Sequence, residues 1–188
     1  CLVLGMGIPT IPNYIITSSI AGPALLELGV PLLVSHMFVF YFGIMADLTP
    51  PVALAAFAAA PIAKAPPLLI GVNAVRIAVA GFVVPFMAVY TPALMLQDGG
   101  PVAEAVGYWP AVAYILLKAL LAIALWGVAV IGHLRAPVEW PMRLLALAAA
   151  CSLVVALPVT DEIGFALGGI VLGWHWWRTR AHAAALTG

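Results

Sequence analysis

The hydrophobic pattern of the chain consists of long apolar runs separated by short clusters of proline, glycine and charged residues. One run covers residues 32–63. As one straight helix it would measure about 48 Å, well beyond the roughly 30 Å hydrocarbon core of a bilayer. The string Asp-Leu-Thr-Pro-Pro at 47–51 interrupts this run near its middle. Proline has no backbone N–H, and the residue before a proline avoids the helical region. The pattern therefore predicts two half-helices, 32–46 and 52–63, on either side of a break.

The other apolar segments predict further helices with polar or proline-rich sequence between them. These helices are expected at 12–28, 68–96, 108–131, 143–159 and 163–177. Gly29 is a plausible C-cap for the first helix. Pro85 and Pro92 are expected to bend or end the second. Residues 97–107 are predicted to form a polar loop, and Thr-Asp-Glu at 160–162 is predicted to form the turn between the last two helices.

Two glycines and two prolines crowd positions 5–12, close to the start of the chain. Because these residues disfavour a regular helix, we expect this stretch to be non-helical. The helix that follows, at 12–28, is only about 25 Å long. That length suits one arm of a re-entrant hairpin whose tip is the 5–12 stretch. A packing kink in a membrane helix explains the same residues, so both interpretations stay open.

Composition identifies the class of protein. Hydrophobic residues make up 65% of the chain and charged residues 7%, whereas soluble domains carry about 25% charge. We therefore predict an all-α integral membrane protein in contact with the lipid bilayer. Seven basic and seven acidic residues cancel, which gives no indication of a nucleic-acid partner. Cys1 and Cys151 have no redox or metal-binding spacing. Because the chain begins inside an apolar segment, we expect it to be the C-terminal portion of a longer protein.

Charged residues orient the predicted spans. Basic residues lie at alternate ends of the spans, whereas the segments at 97–107 and 160–162 hold only acids. By the positive-inside rule the basic ends are cytoplasmic. We therefore expect 143–159 and 163–177 to be antiparallel and to turn on the outer side, either as two spans or as a re-entrant hairpin. Lys118 is the exception, because it lies mid-helix and either snorkels or faces a partner helix.

The break in the 32–63 run also carries candidate chemistry. An acid at mid-membrane depth indicates an ion or substrate site by default, although Asp47 also suits a cap on the following half-helix. The break frees carbonyl oxygens, Thr49 adds a hydroxyl, and hard cations prefer oxygen ligands. A buried carboxylate binds Na⁺ or carries a proton, so both are candidate coupling ions; no other cofactor is expected. His36 lies about 20° from the face of Asp47 and is either a site residue or a hydrogen-bonded packing residue.

Several strings resemble the large membrane subunit of TRAP transporters. They are Gly-Met-Gly-Ile-Pro-Thr at 5–10, His-Met-Phe-Val-Phe-Tyr-Phe-Gly at 36–43 and Asp-Leu-Thr-Pro-Pro-Val-Ala-Leu at 47–54. The strings at 81–86 and 90–94 resemble the TAXI branch of that family, in which the small and large membrane subunits are often fused.

The resemblance is strong over 5–96 and weak beyond. It implies an elevator-type transporter fragment with a re-entrant hairpin arm, a broken transmembrane helix and three to four further membrane helices. Residues 1–65 would belong to the transport domain of the second repeat, 66–98 would close that repeat, and 99–188 would be a C-terminal extension. The implied partners are a periplasmic substrate-binding protein and the upstream remainder of the permease, including its small-subunit part. The implied location is the bacterial inner membrane, with multiple crossings.

The implied function is the uptake of organic acids, such as dicarboxylates, glutamate or 2-oxoglutarate-like acids, driven by a Na⁺ or H⁺ gradient. In the family, the hairpin tip and the broken helix lie together and bind the coupling ion. The resemblance assigns this role to the matching residues Gly7, Pro9, Thr10, Thr49 and Pro50. We add Gly5 and Asp47 as candidate site residues. Thr10 and Thr49 are the candidate Na⁺ ligands. Asp47 departs from the more familiar pattern, which has an apolar residue at that position.

Other classes of function fit the sequence less well. The chain has no His-Glu-x-x-His, Gly-x-Ser-x-Gly or paired-cysteine motif, so we do not expect an enzyme. A membrane scaffold subunit without a site would explain the hydrophobicity but not the break that combines an acid with two prolines. The nearer alternative is another elevator carrier of the same superfamily that works without a binding protein.

Overall fold

The computed structural model describes residues 1–155 and 157–187, and within these ranges the chain is helical and forms no β-strand. The prediction of an all-α protein is therefore confirmed. The chain divides into two compact units, Cys1–Ala113 and Tyr114–Gly188. Each unit has its own helix packing.

Unit 1 is built on the first helices of the chain. Its elements are α1 (Thr10–Glu27), α2 (Leu32–Ala46), α3 (Leu54–Ala63), α4 (Pro67–Tyr90), a 3-10 helix (Pro92–Met95) and α5 (Gly100–Val106). α1 packs against α2, and α4 packs against both α2 and α3. Aromatic rings join α2 to α4, because Phe86 lies edge-on to Phe38 and Phe42 with ring centroids 5.3 and 5.5 Å apart.

Both ends of α1 follow from proline and glycine chemistry. Residues 1–9, which precede it, are non-helical. This confirms the prediction of a non-helical stretch for residues 5–9. The expectation that 10–12 is also non-helical is wrong, because Pro12 lies in the first helical turn, where its missing N–H is not needed. At the other end, Gly29 has φ +80°, and its N–H and that of the next residue donate to carbonyls of the last turn. This Schellman arrangement confirms that Gly29 ends the helix.

The predicted break in the long apolar run is present. α2 ends at Ala46, and the chain remains non-helical until α3 begins at Leu54. The second half-helix therefore starts two residues later than predicted, because Ala53 adopts a left-handed backbone with φ 39°. The peptide bond between Pro50 and Pro51 is cis.

The end of unit 1 differs in part from the prediction. Pro85 lies inside α4 without ending it, and α4 stops at Tyr90, just before Pro92, as expected. The prediction of a loop at 97–107 is wrong for Gly100–Val106, where α5 forms. Its sequence over 102–106 is Val-Ala-Glu-Ala-Val, and alanine and glutamate are strong helix formers.

The rest of the chain contributes three helices. They are α6 (Tyr108–Ile131), which begins in unit 1 and continues into unit 2, α7 (Trp140–Val154) and α8 (Pro158–Thr187). The bounds of α6 are those predicted. α7 and α8 are antiparallel, because Gly164 near the start of α8 lies against Leu153 near the end of α7. Farther along α8, Arg178 pairs with Glu139, the N-cap residue of α7.

The connection between α7 and α8 does not lie where the sequence placed it. α7 ends at Val154, and residues 160–162 belong to the first turns of α8, so the predicted turn there is wrong. Acidic side chains near a helix N-terminus interact favourably with the helix dipole, which explains why this acidic string is helical. The Thr160 hydroxyl hydrogen-bonds the carbonyls of Val155 and Leu157 at 2.8 Å each.

Two described helices, α4 and α6, are long and apolar enough to cross a membrane. α2, α3 and α7 are shorter apolar helices of 10–17 residues. The broken segment α2–α3 therefore consists of two half-length pieces rather than one span, which is what its central interruption predicts.

Candidate functional site

The break between α2 and α3 satisfies much of its own backbone. The Asp47 carbonyl accepts a hydrogen bond from the Ala55 N–H, and the Thr49 carbonyl accepts one from Ala53, both at 3.1 Å. The Thr49 hydroxyl donates to the Met45 carbonyl at 2.7 Å. A hydroxyl that donates one hydrogen bond keeps its lone pairs. The Thr49 oxygen can therefore still act as a ligand.

The turn that precedes α1 lies directly against this break. Gly5 is buried, and a Cβ added to it would come within 2.9 Å of the Ala46 Cβ. Gly7 has φ +77°, and a Cβ there would lie 3.8 Å from a methyl group of Val52. The structure thus brings together the two non-helical segments that the sequence predicted.

Asn13 is a buried polar residue at this junction, and sequence reasoning did not single it out. Its side chain is 1% exposed, and its amide nitrogen donates to the Gly43 carbonyl at 2.9 Å. Gly5 and Gly43 approach the amide so closely that an added Cβ would lie 2.6 and 3.0 Å from its nitrogen. The available signal was an isolated amide in an apolar helix, directly after the glycine- and proline-rich string at 5–12.

Two side-chain oxygens near the junction lack a hydrogen-bond partner within the described residues. They are Oδ1 of Asn13 and Oδ1 of Asp47, and both atoms are buried. Asp47 lies four residues after Gly43, so it follows on the face of α2 that Asn13 contacts. Carboxylate, amide, hydroxyl and carbonyl oxygens are the ligands that hard cations prefer. The oxygens gathered at this junction are therefore of the type that a small cation prefers.

The remaining predicted site residues are more accessible. Gly7, Pro9 and Thr10 are exposed at the start of α1, whereas Thr49 and Pro50 are half-buried in the break. Pro9 occupies the N-cap position, and no side-chain hydrogen bond caps this helix end. An uncapped N-terminus offers free N–H groups and a partial positive charge to an anion.

A comparison with protein families decides what kind of protein carries this arrangement. Residues 1–103 match the family model described as tripartite ATP-independent periplasmic transporter, DctM component. The chain belongs to this DctM family. The match covers more than half of the chain and includes every predicted site residue. No curated protein and no solved structure matches the chain.

DctM membership places the protein among membrane transporters. It is the large permease component of a TRAP secondary transporter, and the family is not enzymatic in general. Membership also implies partnership with a periplasmic binding protein and a small membrane component. The predicted family and the predicted membrane class are therefore confirmed.

In this DctM chain, His36 is a hydrogen-bonded packing residue. Its Nδ1 lies 2.8 Å from the Tyr14 hydroxyl, and this contact joins α2 to α1. The Tyr14 ring also packs edge-on against Phe40, with centroids 5.8 Å apart. Of the two interpretations of His36, the structure supports packing.

Outside the matched residues, unit 2 of the DctM chain contains a buried ion pair. Lys118 Nζ lies 2.5 Å from Oδ1 of Asp161, and the two side chains are 7% and 13% exposed. The Tyr114 hydroxyl donates to the other carboxylate oxygen at 2.9 Å. Lys118 therefore faces a partner helix rather than snorkelling. The Asp161 side chain is part of helix packing, although its sequence position suggested an outer turn.

Proposed function

We propose that this DctM chain forms part of the transport pathway of an ion-coupled organic-acid permease. The observation that carries the proposal is the contact between the turn before α1 and the break between α2 and α3. Both segments lie in the family-matched part of the chain, and both expose polar groups among apolar helices. Such polar backbone persists at membrane depth only inside protein, beside water or beside a bound ion.

The break supplies the cation side of the proposed site. Asp47 contributes a carboxylate with one unpartnered oxygen, and Thr49 contributes a hydroxyl with free lone pairs. An ionised carboxylate in an apolar region is stabilised by a cation or neutralised by a proton. We propose Na⁺ or H⁺ as the coupling ion, with Thr10 and Thr49 as the candidate hydroxyl ligands and Pro50 shaping the break.

The start of α1 supplies the anion side. Pro9 leaves the first turn without a side-chain cap, so the N–H groups of Thr10 and Ile11 are available. The dipole of an 18-residue helix adds a partial positive charge at this end. A substrate carboxylate fits these donors, and Gly7 keeps the approach open. We propose dicarboxylates, glutamate or 2-oxoglutarate-like acids as the substrate class.

The finer assignment within the family is also a proposal. The strings at 81–86 and 90–94 support the TAXI branch. We propose that residues 1–65 move as part of an elevator transport domain, that 66–98 close the second repeat and that 99–188 form an extension. The location would be the bacterial cytoplasmic membrane, with the basic ends of the helices inside.

The test is uptake of a labelled acid by the assembled transporter in vesicles, with its binding protein present and the Na⁺ and pH gradients imposed separately. Asp47→Asn should abolish the dependence on one of the two gradients and reduce uptake at least about tenfold. Asp98→Asn is the matched control, because Asp98 is an exposed acid that caps the Gly100 N–H. If Asp47→Asn keeps wild-type rates and both dependences, Asp47 is only a helix cap. Uptake without the binding protein would instead support the alternative of an elevator carrier that works without one.

A further inference from the structure

Unit 2 contains a cavity of about 410 Å³ between the loop after α6 and residues 172–179 of α8. Its lining includes Leu134, Arg135, Leu172, Gly173, His175 and Trp176. A volume of this size is within the range of ligand-binding pockets. The cavity is amphipathic, because its lining combines apolar side chains with Arg135 and His175.

The loop that carries the rim arginine is attached to α8. The Arg135 backbone N–H donates to Nε2 of His175 at 3.4 Å, and the histidine is 4% exposed. This contact leaves the Arg135 side chain exposed beside the cavity. The Arg135 backbone is therefore attached to α8, and within the described residues its guanidinium has no carboxylate partner.

The other arginines of this region differ in whether they have a hydrogen-bond or ion-pair partner. Arg143 donates to the carbonyls of Ala129 and Val130 at 2.8 and 3.0 Å, and so caps the end of α6. Glu139 is occupied by Arg178. Within the described residues, neither Arg135 nor Arg180 contacts a carboxylate. Arg135 therefore lines the cavity, and Arg180 lies over the ring of a lining residue, Trp176, without a carboxylate partner for either charge.

Aromatic residues place this region at a membrane surface. The Arg180 guanidinium lies 3.7 Å from the ring centroid of Trp176, which lines the cavity. Trp176 and Trp177 are 51% and 69% exposed. Exposed tryptophans beside arginines are typical of the level of lipid headgroups, and basic helix ends face the cytoplasmic leaflet, which is rich in anionic lipid.

We propose that this cavity binds an anionic phospholipid. Its phosphate would lie between the guanidinium groups of Arg135 and Arg180, and one acyl chain would follow Leu172 and Gly173 along α8. Guanidinium groups bind phosphate oxygens in a two-pronged geometry, and basic pockets at the cytoplasmic ends of membrane helices suit such headgroups. The site is independent of the proposed transport pathway, because it lies outside the family-matched residues.

A pair of glycines allows the acyl part of the proposal to be tested alone. Gly173 on α8 lines the cavity, Gly127 on α6 does not, and a Cβ at either would meet no heavy atom within 4 Å. Both positions therefore accept a side chain without a clash. Gly173→Leu should fill the cavity and weaken lipid binding at least about tenfold, whereas Gly127→Leu should leave it unchanged.

The charge part is tested by native mass spectrometry of the purified transporter, titrated separately with phosphatidylglycerol and phosphatidylcholine. Phosphatidylglycerol should bind more tightly. Arg135→Gln and Arg180→Gln should each weaken its binding about fivefold, as expected for one charge near an anionic surface. Lys64→Gln, which removes an exposed charge from unit 1, is the control.

Three results would overturn the proposal. The first is equal binding of the two lipids by the wild type. The second is binding of phosphatidylglycerol by both arginine variants that is as tight as in the wild type. The third is displacement of phosphatidylglycerol by inorganic phosphate at the same concentration, which would identify a site for the free anion. Retained binding in Gly173→Leu would contradict the acyl position.

Discussion

Lys118 on α6 and Asp161 on α8 form an ion pair inside unit 2, with Nζ and Oδ1 2.5 Å apart and both side chains largely buried. Tyr114, one turn before the lysine, donates to the second carboxylate oxygen at 2.9 Å. The three polar groups therefore satisfy one another among apolar helices. Because each charge is stabilised mainly by the other, we expect the pair to help specify how α8 lies against α6.

We predict that substitutions of Lys118 and Asp161 have strongly coupled effects on the free energy of unfolding. Lys118→Met should lower the free energy of unfolding by about 3–5 kcal/mol, because it leaves a buried carboxylate without its cation. The double variant Lys118→Met with Asp161→Leu should recover most of that loss, because no buried charge remains. Denaturant unfolding in detergent measures both values.

The control for this double-variant cycle is the more exposed ion pair between Glu139 and Arg178. Glu139→Gln should change the free energy of unfolding by no more than about 1 kcal/mol, since its side chain is half-exposed. If the single and double variants at 118 and 161 lose the same stability, the ion pair does not specify the packing.

A second prediction concerns the contact between the turn and the break. Gly5→Ala should destabilise the protein by about 1–3 kcal/mol, because the new methyl would lie 2.6 Å from the Asn13 amide nitrogen and 2.9 Å from the Ala46 Cβ. Uptake should fall as well, since the turn must move away from the break. Gly22→Ala in α1 is the matched control, because a Cβ there meets no atom within 4 Å. Equal effects of the two substitutions would show that the close approach at Gly5 is unimportant.

A third prediction separates the structural and ligand roles of Thr49. Thr49→Val keeps the shape of the side chain but removes the oxygen that hydrogen-bonds the Met45 carbonyl. If the hydroxyl binds Na⁺, the Na⁺ concentration for half-maximal uptake should rise at least about tenfold, as for a lost contact to a charged group. Thr49→Ser should retain wild-type behaviour.

Thr17→Val is the control for the Thr49 experiment. Thr17 makes the same kind of bond to a carbonyl four residues earlier, at 2.7 Å, but lies in the middle of α1. Its substitution should leave the Na⁺ dependence unchanged. An unchanged Na⁺ dependence in Thr49→Val would assign the hydroxyl to the backbone alone.

A fourth prediction concerns the orientation of α8. Glu162 and Arg180 are exposed and lie about 27 Å apart along one continuous helix, so they should reach opposite membrane surfaces. Single cysteines at these two positions, in a variant without Cys1 and Cys151, should react with an impermeant reagent from opposite sides. Residue 162 should be outside and residue 180 inside. Labelling of both from one side would exclude α8 as a span.

The sequence by itself determined the features that depend on local chemistry. Prolines and glycines end helices through their own backbone properties, so the break after Ala46 and the ending at Gly29 were predictable. The bounds of α6 followed from a long apolar run in which Lys118 is the one charged residue. The strings at 5–10, 36–43 and 47–54 were sufficient on their own to indicate the TRAP family.

Only the tertiary structure decided which distant residues meet. The contact of Asn13 with Gly43 joins positions 30 apart, and the pairing of Lys118 with Asp161 joins positions 43 apart. Residue type and spacing do not encode such partners, because they depend on how whole helices pack. The same reason explains the error at 160–162, where the acidic string resembled an outer turn. In the folded chain this string lies in the first turns of α8, where Asp161 pairs with Lys118.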